Sequence, residues 1–130
     1  MLKRYERCIG LSLPAIGRWK IEFWFCPANY RIQEHTHDQE DIKLILLFGH
    51  EVRFHRRKKS EMLGQAHLAR WRDIGRVFTI NAGDAHWFEV SDYPLIFCNI
   101  EHWHCKPTSA CIDFNLTKEP TYGSKTTVKR

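Results

Sequence analysis

Three histidines stand at spacings that would let them share one metal ion. His35 and His37 are two residues apart, and side chains two apart on a β-strand point to the same face. His86 follows a turn-forming segment, residues 81–84. Neutral imidazoles suit divalent transition metals, and three of them on rigid elements leave positions open for water or substrate. The spacing therefore predicts a site for a divalent transition metal.

The elements that would carry these histidines have the alternation of short β-strands. Apolar and polar residues alternate in residues 19–25, 51–55, 77–80 and 86–90, and mainly apolar runs between turn signals cover residues 42–48 and 95–100. Short strands at such intervals, with at most one weak helix, are typical of an all-β sandwich or barrel. In residues 19–25 the apolar side chains fall on odd positions, which predicts that this face is buried.

Residues 30–37 predict a further strand that bears directly on the site. If the strand is continuous, Arg31, Gln33, His35 and His37 share one face. Arg31 and Gln33 would then stand beside the imidazoles, where an arginine can hold a carboxylate or phosphate with two hydrogen bonds. We therefore expect both residues to bind substrate, the alternative being that either lies outside the barrel.

Three other segments carry weaker predictions. Gly49 and His50 separate two strand-like runs, which predicts a hairpin turn. Ser60 is suited to cap a short helix continuing to Leu68, although Gly64 disfavours it. Residues 117–130 are polar and basic, and we expect this tail to be poorly ordered.

Size and composition limit the classes of protein. A chain of 130 residues with 43% hydrophobic and 13% aromatic residues should form a single compact domain over residues 1–130. No apolar run approaches the roughly 20 residues that span a bilayer, and residues 1–7 lead into no signal-peptide core. We therefore expect a cytoplasmic protein without a membrane partner.

The cysteines and the net charge predict the state of the thiols and limit the kinds of partner. The five cysteines are odd in number and form no close pair, so we expect free thiols. The net charge is +5, and residues 53–59 hold the densest positive charge. No element presents the set of polar side chains that base readout needs, so we expect no sequence-specific nucleic-acid partner.

These motifs resemble those of the cupin superfamily. The first cupin motif places H-x-H before a carboxylate and a closing glycine, and His35-Thr36-His37 with Gly49 resembles it. The second is a P-x-G-x-x-H turn, which residues 81–86 resemble, with Asn81 in place of proline. The resemblance covers roughly residues 19–103. It implies a double-stranded β-helix, or jelly-roll, barrel with a core over about residues 19–105.

The carboxylate of the first motif has two candidates. Asp41 has the family's spacing from the second histidine, but it shares parity with Lys43, which should face outward. Glu40 shares parity with Leu44, but it would leave only residues 38–39 for a hairpin turn, and these lack the glycine that such turns favour. Because a bulge can repair parity more easily than an unsuitable turn can close, we choose Asp41 with His35, His37 and His86.

The resemblance implies a metal-dependent enzyme of the dioxygenase or isomerase type that acts on a small molecule. Two alternatives remain open. One is a non-catalytic protein that binds a small ligand in the same pocket, and the other is an interaction protein that uses the basic hairpin of residues 53–59. The expected partner is a small-molecule ligand, and a homodimer is compatible with the sequence.

Overall fold

The computed structural model describes residues 1–108, 111–112 and 116–117. Its strands are β1 (Leu2–Tyr5), β2 (Cys8–Ser12), β3 (Trp19–Cys26), β4 (Tyr30–Arg31), β5 (Thr36–His37), β6 (Glu40–Phe48), β7 (Val52–Arg57), β8 (Gln65–Ala69), β9 (Val77–Ile80), β10 (Ala85–Val90), β11 (Leu95–Trp103) and β12 (Leu116–Thr117). One turn of 3-10 helix covers Trp71–Asp73. Among the described residues, no helix has the length and apolar character needed to cross a membrane.

Two antiparallel sheets enclose the core, which confirms the all-β prediction. One sheet has six strands in the order β1-β2-β3-β11-β6-β9, the other has four in the order β4-β10-β7-β8, and β5 and β12 form a separate two-stranded sheet. The core between them is formed by apolar residues such as Leu46, Val52 and Leu95, all fully buried. No hydrogen-bonded strand pair of the described residues joins the two sheets, so the barrel is not closed. Arg56 of β7 bridges the gap by donating to the Thr79 carbonyl of β9 over 2.7 Å.

The connection between β6 and β7, predicted as a local hairpin, passes between the two sheets instead. Strand β6 pairs with β11 and β9, whereas β7 pairs with β10 and β8, so the hairpin predicted at Gly49 is wrong. The predicted helix from Ser60 to Leu68 is also wrong, because β8 occupies its second half. The tail predicted over residues 117–130 lies, beyond Thr117, outside the described residues.

Strand β3 lies where it was predicted, but its faces are reversed. Glu22 and Cys26 are buried, while the alternating apolar side chains are exposed to solvent by 38% to 54%. Those exposed side chains are Trp19, Ile21, Phe23 and Phe25. The buried face of this strand therefore carries a carboxylate, and its apolar face lies on the outside of the molecule.

The first twelve residues complete the six-stranded sheet, which no sequence pattern indicated. Strands β1 and β2 form an antiparallel pair, and β2 pairs with β3. The prediction that every cysteine is free is wrong for one pair, because Cys105 and Cys111 form a disulfide. Cys8, Cys26 and Cys98 are free thiols.

Candidate metal centre

Three imidazoles meet at one end of the space between the sheets. One nitrogen from each of His35, His37 and His86 lies within 4.8 Å of the others. The ring centroids are 4.2 to 5.1 Å apart. His35 and His86 are buried, and His37 is partly exposed. In the part of the chain that the structure describes, this is the one group of histidine, cysteine and acidic side chains arranged to hold a metal ion.

Backbone pairing places two of these imidazoles directly opposite each other. The His35 N–H donates to the His86 carbonyl over 3.1 Å, and the His86 N–H donates to the His35 carbonyl over 3.0 Å. Residues that exchange both bonds in an antiparallel pair hold their side chains on the same face, about 5 Å apart. This exchange sets the distance between the two rings.

A tight turn connects the third imidazole to the other two. Gly83 has φ of +86° at the third position of the turn over residues 81–84, a conformation that glycine adopts without strain. Its N–H donates to the His37 carbonyl over 3.0 Å. A side chain at this position would carry backbone strain and loosen the contact between the two histidine-bearing segments.

Hydrogen bonds to backbone carbonyls fix the ring orientation of two histidines. The Nδ1 of His35 lies 2.8 Å from the Gln33 carbonyl, and the Nδ1 of His86 lies 3.3 Å from the Asp84 carbonyl. A carbonyl only accepts, so both Nδ1 atoms carry the proton, and the lone pair is on Nε2. Burial, with the nearby His35 and His37, lowers the pKa of His86 well below its usual value. His86 is therefore neutral at pH 7, the form that binds metals.

Glu40 is the carboxylate that lies beside the imidazoles. Its Oε2 is 3.3 Å from the Nδ1 of His37, and its side chain is 4% exposed. Asp41 lies outside the group. Its carboxylate accepts from the Ala82 N–H over 2.8 Å and pairs with His104 Nε2 at 2.9 Å. Asp41 thus binds the loop that precedes His86, and it does so from outside the group of imidazoles.

The choice between these carboxylates rested on a hairpin that the chain does not form. Strand β5 pairs with β12, and β6 pairs with β11 and β9. Residues 38–39 therefore turn a corner between two sheets, and a corner does not need the residues of a two-residue hairpin. Glu40 keeps the inward parity of Leu44 without a bulge at this point.

The imidazoles and Glu40 line a cavity of about 250 Å³ between the sheets. Its walls include Trp24, Trp103 and Phe88. Neither Arg31 nor Gln33 lines it. The Arg31 guanidinium instead lies 4.0 Å from the centre of the Trp87 ring. Because the chain between β4 and β5 is not one continuous strand, parity does not carry from residue 31 to residue 35.

Two further buried carboxyl groups in the cavity wall share a hydrogen bond, and they were not predicted from the sequence. Burial, then the negative charges of Glu40 and Glu22, raise the pKa of Glu101 to about 11. Burial also disfavours the Glu22 anion, but hydrogen bonds from Glu101 and Lys3 outweigh it and lower the pKa of Glu22 to about 2. At neutral pH Glu101 is therefore the proton donor to Glu22.

Indole and ammonium groups complete this polar network. Trp24 Nε1 donates to Glu22 over 3.0 Å, Trp103 Nε1 donates to Glu101 over 3.1 Å, and Lys3 Nζ lies 2.7 Å from Glu22. The carboxyls were missed because Glu22 shares a strand with more apolar residues on the opposite face. The only sequence signal for a buried carboxyl on β3 was that Glu22 shares one face of the strand with Trp24 and Cys26.

Comparisons with known proteins were made by sequence and by structure. No family model matches the sequence, and no curated protein matches it. Solved structures do match. The capsular polysaccharide assembling protein CapF from Staphylococcus aureus has a TM-score of 0.67 at 12% identity, over 84% of this chain and 32% of that chain. This chain thus spans about a third of the length of CapF.

Two further matches show the same architecture. The oxalate decarboxylase of Lactobacillus farciminis has a TM-score of 0.66 at 14% identity, over 82% of this chain and 32% of that one. An uncharacterised Klebsiella pneumoniae protein with a double-stranded β-helix domain has a TM-score of 0.56 at 13% identity, over 78% of this chain and 82% of that one. Such identities establish the fold alone, and one fold hosts many functions. The chain has a double-stranded β-helix fold, which is the fold that the resemblance of its two motifs implied.

Proposed function

We propose that the chain binds one divalent transition metal through His35, His37 and His86, with Glu40 as the carboxylate of the site. We further propose that it is a metal-dependent enzyme of the dioxygenase or isomerase type, acting on a small molecule. The observation that carries the proposal is the meeting of three imidazole nitrogens within 4.8 Å of one another at a cavity.

The donor set fits such an ion. Backbone carbonyls hold the Nδ1 atoms of His35 and His86, and metal-binding histidines are commonly oriented through the nitrogen that does not bind. Glu40 supplies negative charge beside His37. Imidazole and carboxylate ligands suit Fe, Mn, Ni and Zn. The group of possible ligand atoms consists of the three histidines, so Glu40 would orient His37 through its Nδ1, and the three imidazoles would leave at least one position of a four- to six-coordinate ion open.

When bound, the ion would act as a Lewis acid that polarises an oxygen of the substrate. The chain's own residues would bind and orient that substrate. Trp24 and Trp103 give the cavity apolar walls, and Glu101, protonated at neutral pH, lines the same cavity. A volume of about 250 Å³ lies just below the usual range for ligand pockets, about 300–1,000 Å³, which favours a compact substrate.

Metal content of the protein purified without an affinity tag tests the proposal. We expect one divalent ion per chain, and each of the variants H35A, H37A and H86A should lose it while keeping the β-rich circular dichroism spectrum. H55A is the matched control, because His55 stacks on Trp87 with ring centroids 3.6 Å apart, away from the three imidazoles. Full occupancy in all three variants would contradict the metal site.

The enzymatic part is tested separately. Metal-loaded protein and H86A would be screened by thermal shift against small oxygen-chelating compounds, and the binders would then be assayed for turnover by mass spectrometry. We expect a compound that stabilises only the metal-loaded protein and is converted by it. Binding without conversion, with the metal present, would favour the non-catalytic ligand-binding alternative.

A further inference from the structure

A second cavity lies at the open seam of the barrel, where β8 and β9, the end strands of the two sheets, face each other. Its volume is about 270 Å³, and we call it the seam cavity. Four residues of its wall also line the cavity that holds the three imidazoles: Leu44, Ile80, His86 and Phe88. The two cavities are therefore neighbours inside the barrel, and His86 belongs to the walls of both.

The charged side chains of the seam cavity are positive. Its wall includes Arg56 and Arg76, and no aspartate or glutamate of the described residues lines it. The wall of the imidazole cavity, in contrast, includes Glu22, Glu40 and Glu101. A pocket lined by charges of one sign attracts groups of the opposite sign. The seam cavity therefore favours an anionic group over a cationic one.

Both sheets hold Arg56 in position. The strand register places it directly opposite His86, and both side chains line the seam cavity, so their Cβ atoms are about 5 Å apart. Arg56 Nη1 donates to the Thr79 carbonyl of the other sheet over 2.7 Å. A guanidinium has five N–H groups, so this bond leaves donors for a ligand. None of the ion pairs among the described residues includes Arg56. Its positive charge therefore remains available to a ligand.

Arg76 supplies a second charge, which it shares with a carboxylate. Its guanidinium lies 3.7 Å from the Asp73 carboxylate and 5.0 Å from the centre of the Phe78 ring. The unshared arginine charge at the seam cavity is therefore that of Arg56 alone. One positive charge matches a carboxylate, whereas a phosphate monoester carries close to two negative charges at pH 7. The charges thus favour a carboxylate over a phosphate ester.

Aromatic rings form much of the remaining wall. Phe54 and Phe78 stack with ring centroids 4.6 Å apart, and Phe88 packs against Phe54 at 5.9 Å. Such rings pack well against another planar apolar group. Arginine binds a carboxylate through two parallel hydrogen bonds, which fix the orientation of the bound group. A planar carboxylate would therefore pair its charge with Arg56 and bury its apolar body against the phenylalanines.

We propose that the substrate is a planar organic carboxylate whose carboxylate group binds to Arg56 in the seam cavity. The assignment rests on the proposed function, in which the other end of the substrate lies beyond His86, at the metal. Arg56 therefore has the role that the sequence predicted for Arg31. The two arginines differ in position, because Arg31 lies over the Trp87 ring and lines neither cavity.

An NMR titration of the metal-free protein with benzoate tests the proposal. Protein that has been stripped of metal and dialysed free of chelator reports on the seam cavity without any contribution from a bound ion. We expect saturable shifts at Phe78 and Thr79, with a Kd on the order of 1 mM for so small a ligand. Benzamide has nearly the same shape but no charge, so it should bind at least about tenfold more weakly.

Arg56→Met removes the charge and keeps an unbranched apolar side chain. It should weaken benzoate binding by roughly 10- to 100-fold and change benzamide binding little. Arg53→Met is the matched control, because Arg53 is exposed and lies on the other face of the same strand; it should bind benzoate as the wild type does. If Arg56→Met fails to fold, Arg56→Lys replaces it, because lysine keeps the charge but cannot form the two parallel hydrogen bonds. Benzoate should then still lose more affinity than benzamide.

Three results would overturn the proposal. One is benzoate that fails to bind or binds no better than benzamide. Another is phenyl phosphate that binds more tightly than benzoate, which would assign the seam cavity to phosphate esters. The third is unchanged benzoate binding in a folded Arg56→Met variant. Each of these results can occur in a protein that holds one metal ion per chain, and a protein that holds none can still bind benzoate at Arg56. Failure of this inference is therefore distinguishable from failure of the proposed function.

Discussion

Glu101→Gln replaces a buried acid that the structure holds in its neutral form. The carboxyl is 2% exposed, and burial with the charges of Glu40 and Glu22 raises its pKa to about 11 from 4.5. Between these two pH values the native protein holds a proton that the unfolded chain has released. A raised carboxyl pKa therefore contributes stability below pH 4.5, and that contribution is lost as the pH rises towards 11.

The size of the effect follows from proton linkage. One extra proton bound by the native state lowers the free energy of unfolding by about 1.4 kcal/mol for each pH unit. Glutamine resembles the neutral acid in shape and cannot ionise. The free energy of unfolding of the variant therefore lacks this dependence on pH. From about pH 6.5 to 8.5, the free energy of unfolding of E101Q should rise relative to the wild type by up to about 3 kcal/mol.

Urea denaturation of both proteins with a chelator present measures this difference. Histidines and cysteines that titrate in the same range affect both proteins equally, so they cancel in the subtraction. Glu51→Gln is the control, because Glu51 is exposed. The difference in free energy of unfolding between this variant and the wild type should not change with pH. A difference between E101Q and the wild type that stays constant over this range would show that Glu101 is ionised in the native protein, and the reasoning would fail.

Three other predictions concern separate parts of the molecule. Glu40→Gln should weaken metal binding by roughly 10- to 100-fold. Asp41→Asn keeps an acceptor for the Ala82 N–H, so it should change metal binding little. Both affinities can be measured by competition with a chelator, and equal effects would reject Glu40 as the carboxylate of the site. Alkylation of the denatured protein should label three cysteines without reductant and five with it, and five labelled in both conditions would contradict the Cys105–Cys111 bond. Gly10→Ala should lower the free energy of unfolding by about 1–3 kcal/mol, because its Cβ would lie 2.7 Å from the Trp24 ring; unchanged stability in urea would refute that contact.

The strands and the histidine group were accessible to sequence reasoning because both depend on local patterns. Alternation predicted most of β9 and β10, apolar runs between turns predicted most of β6 and β11, and the spacing of His35 and His37 already indicated a shared face. The turn over residues 81–84 was also predicted from its residue types, since glycine and asparagine favour such conformations. Each of these features depends on residues close together in the chain.

What was missed depends on which strands pair, and that is a long-range property. The faces of β3 were reversed because alternation does not show which side of a strand faces the core when both sides carry large apolar groups. The preference for Asp41 over Glu40, which stays a prediction, assumed that β5 and β6 pair, and they do not. The disulfide was missed because Cys105 and Cys111 are six positions apart, without the short C-x-x-C spacing that was sought.

X-ray absorption at the zinc edge of the zinc-loaded protein tests the central claim most directly, because it reports the atoms around the bound ion. We expect first-shell nitrogen and oxygen at about 2.0–2.1 Å, with outer-shell scattering from three imidazole rings that falls to two in H86A. Sulfur at about 2.3 Å, or a shell without imidazole scattering, would show that His35, His37 and His86 do not hold the metal.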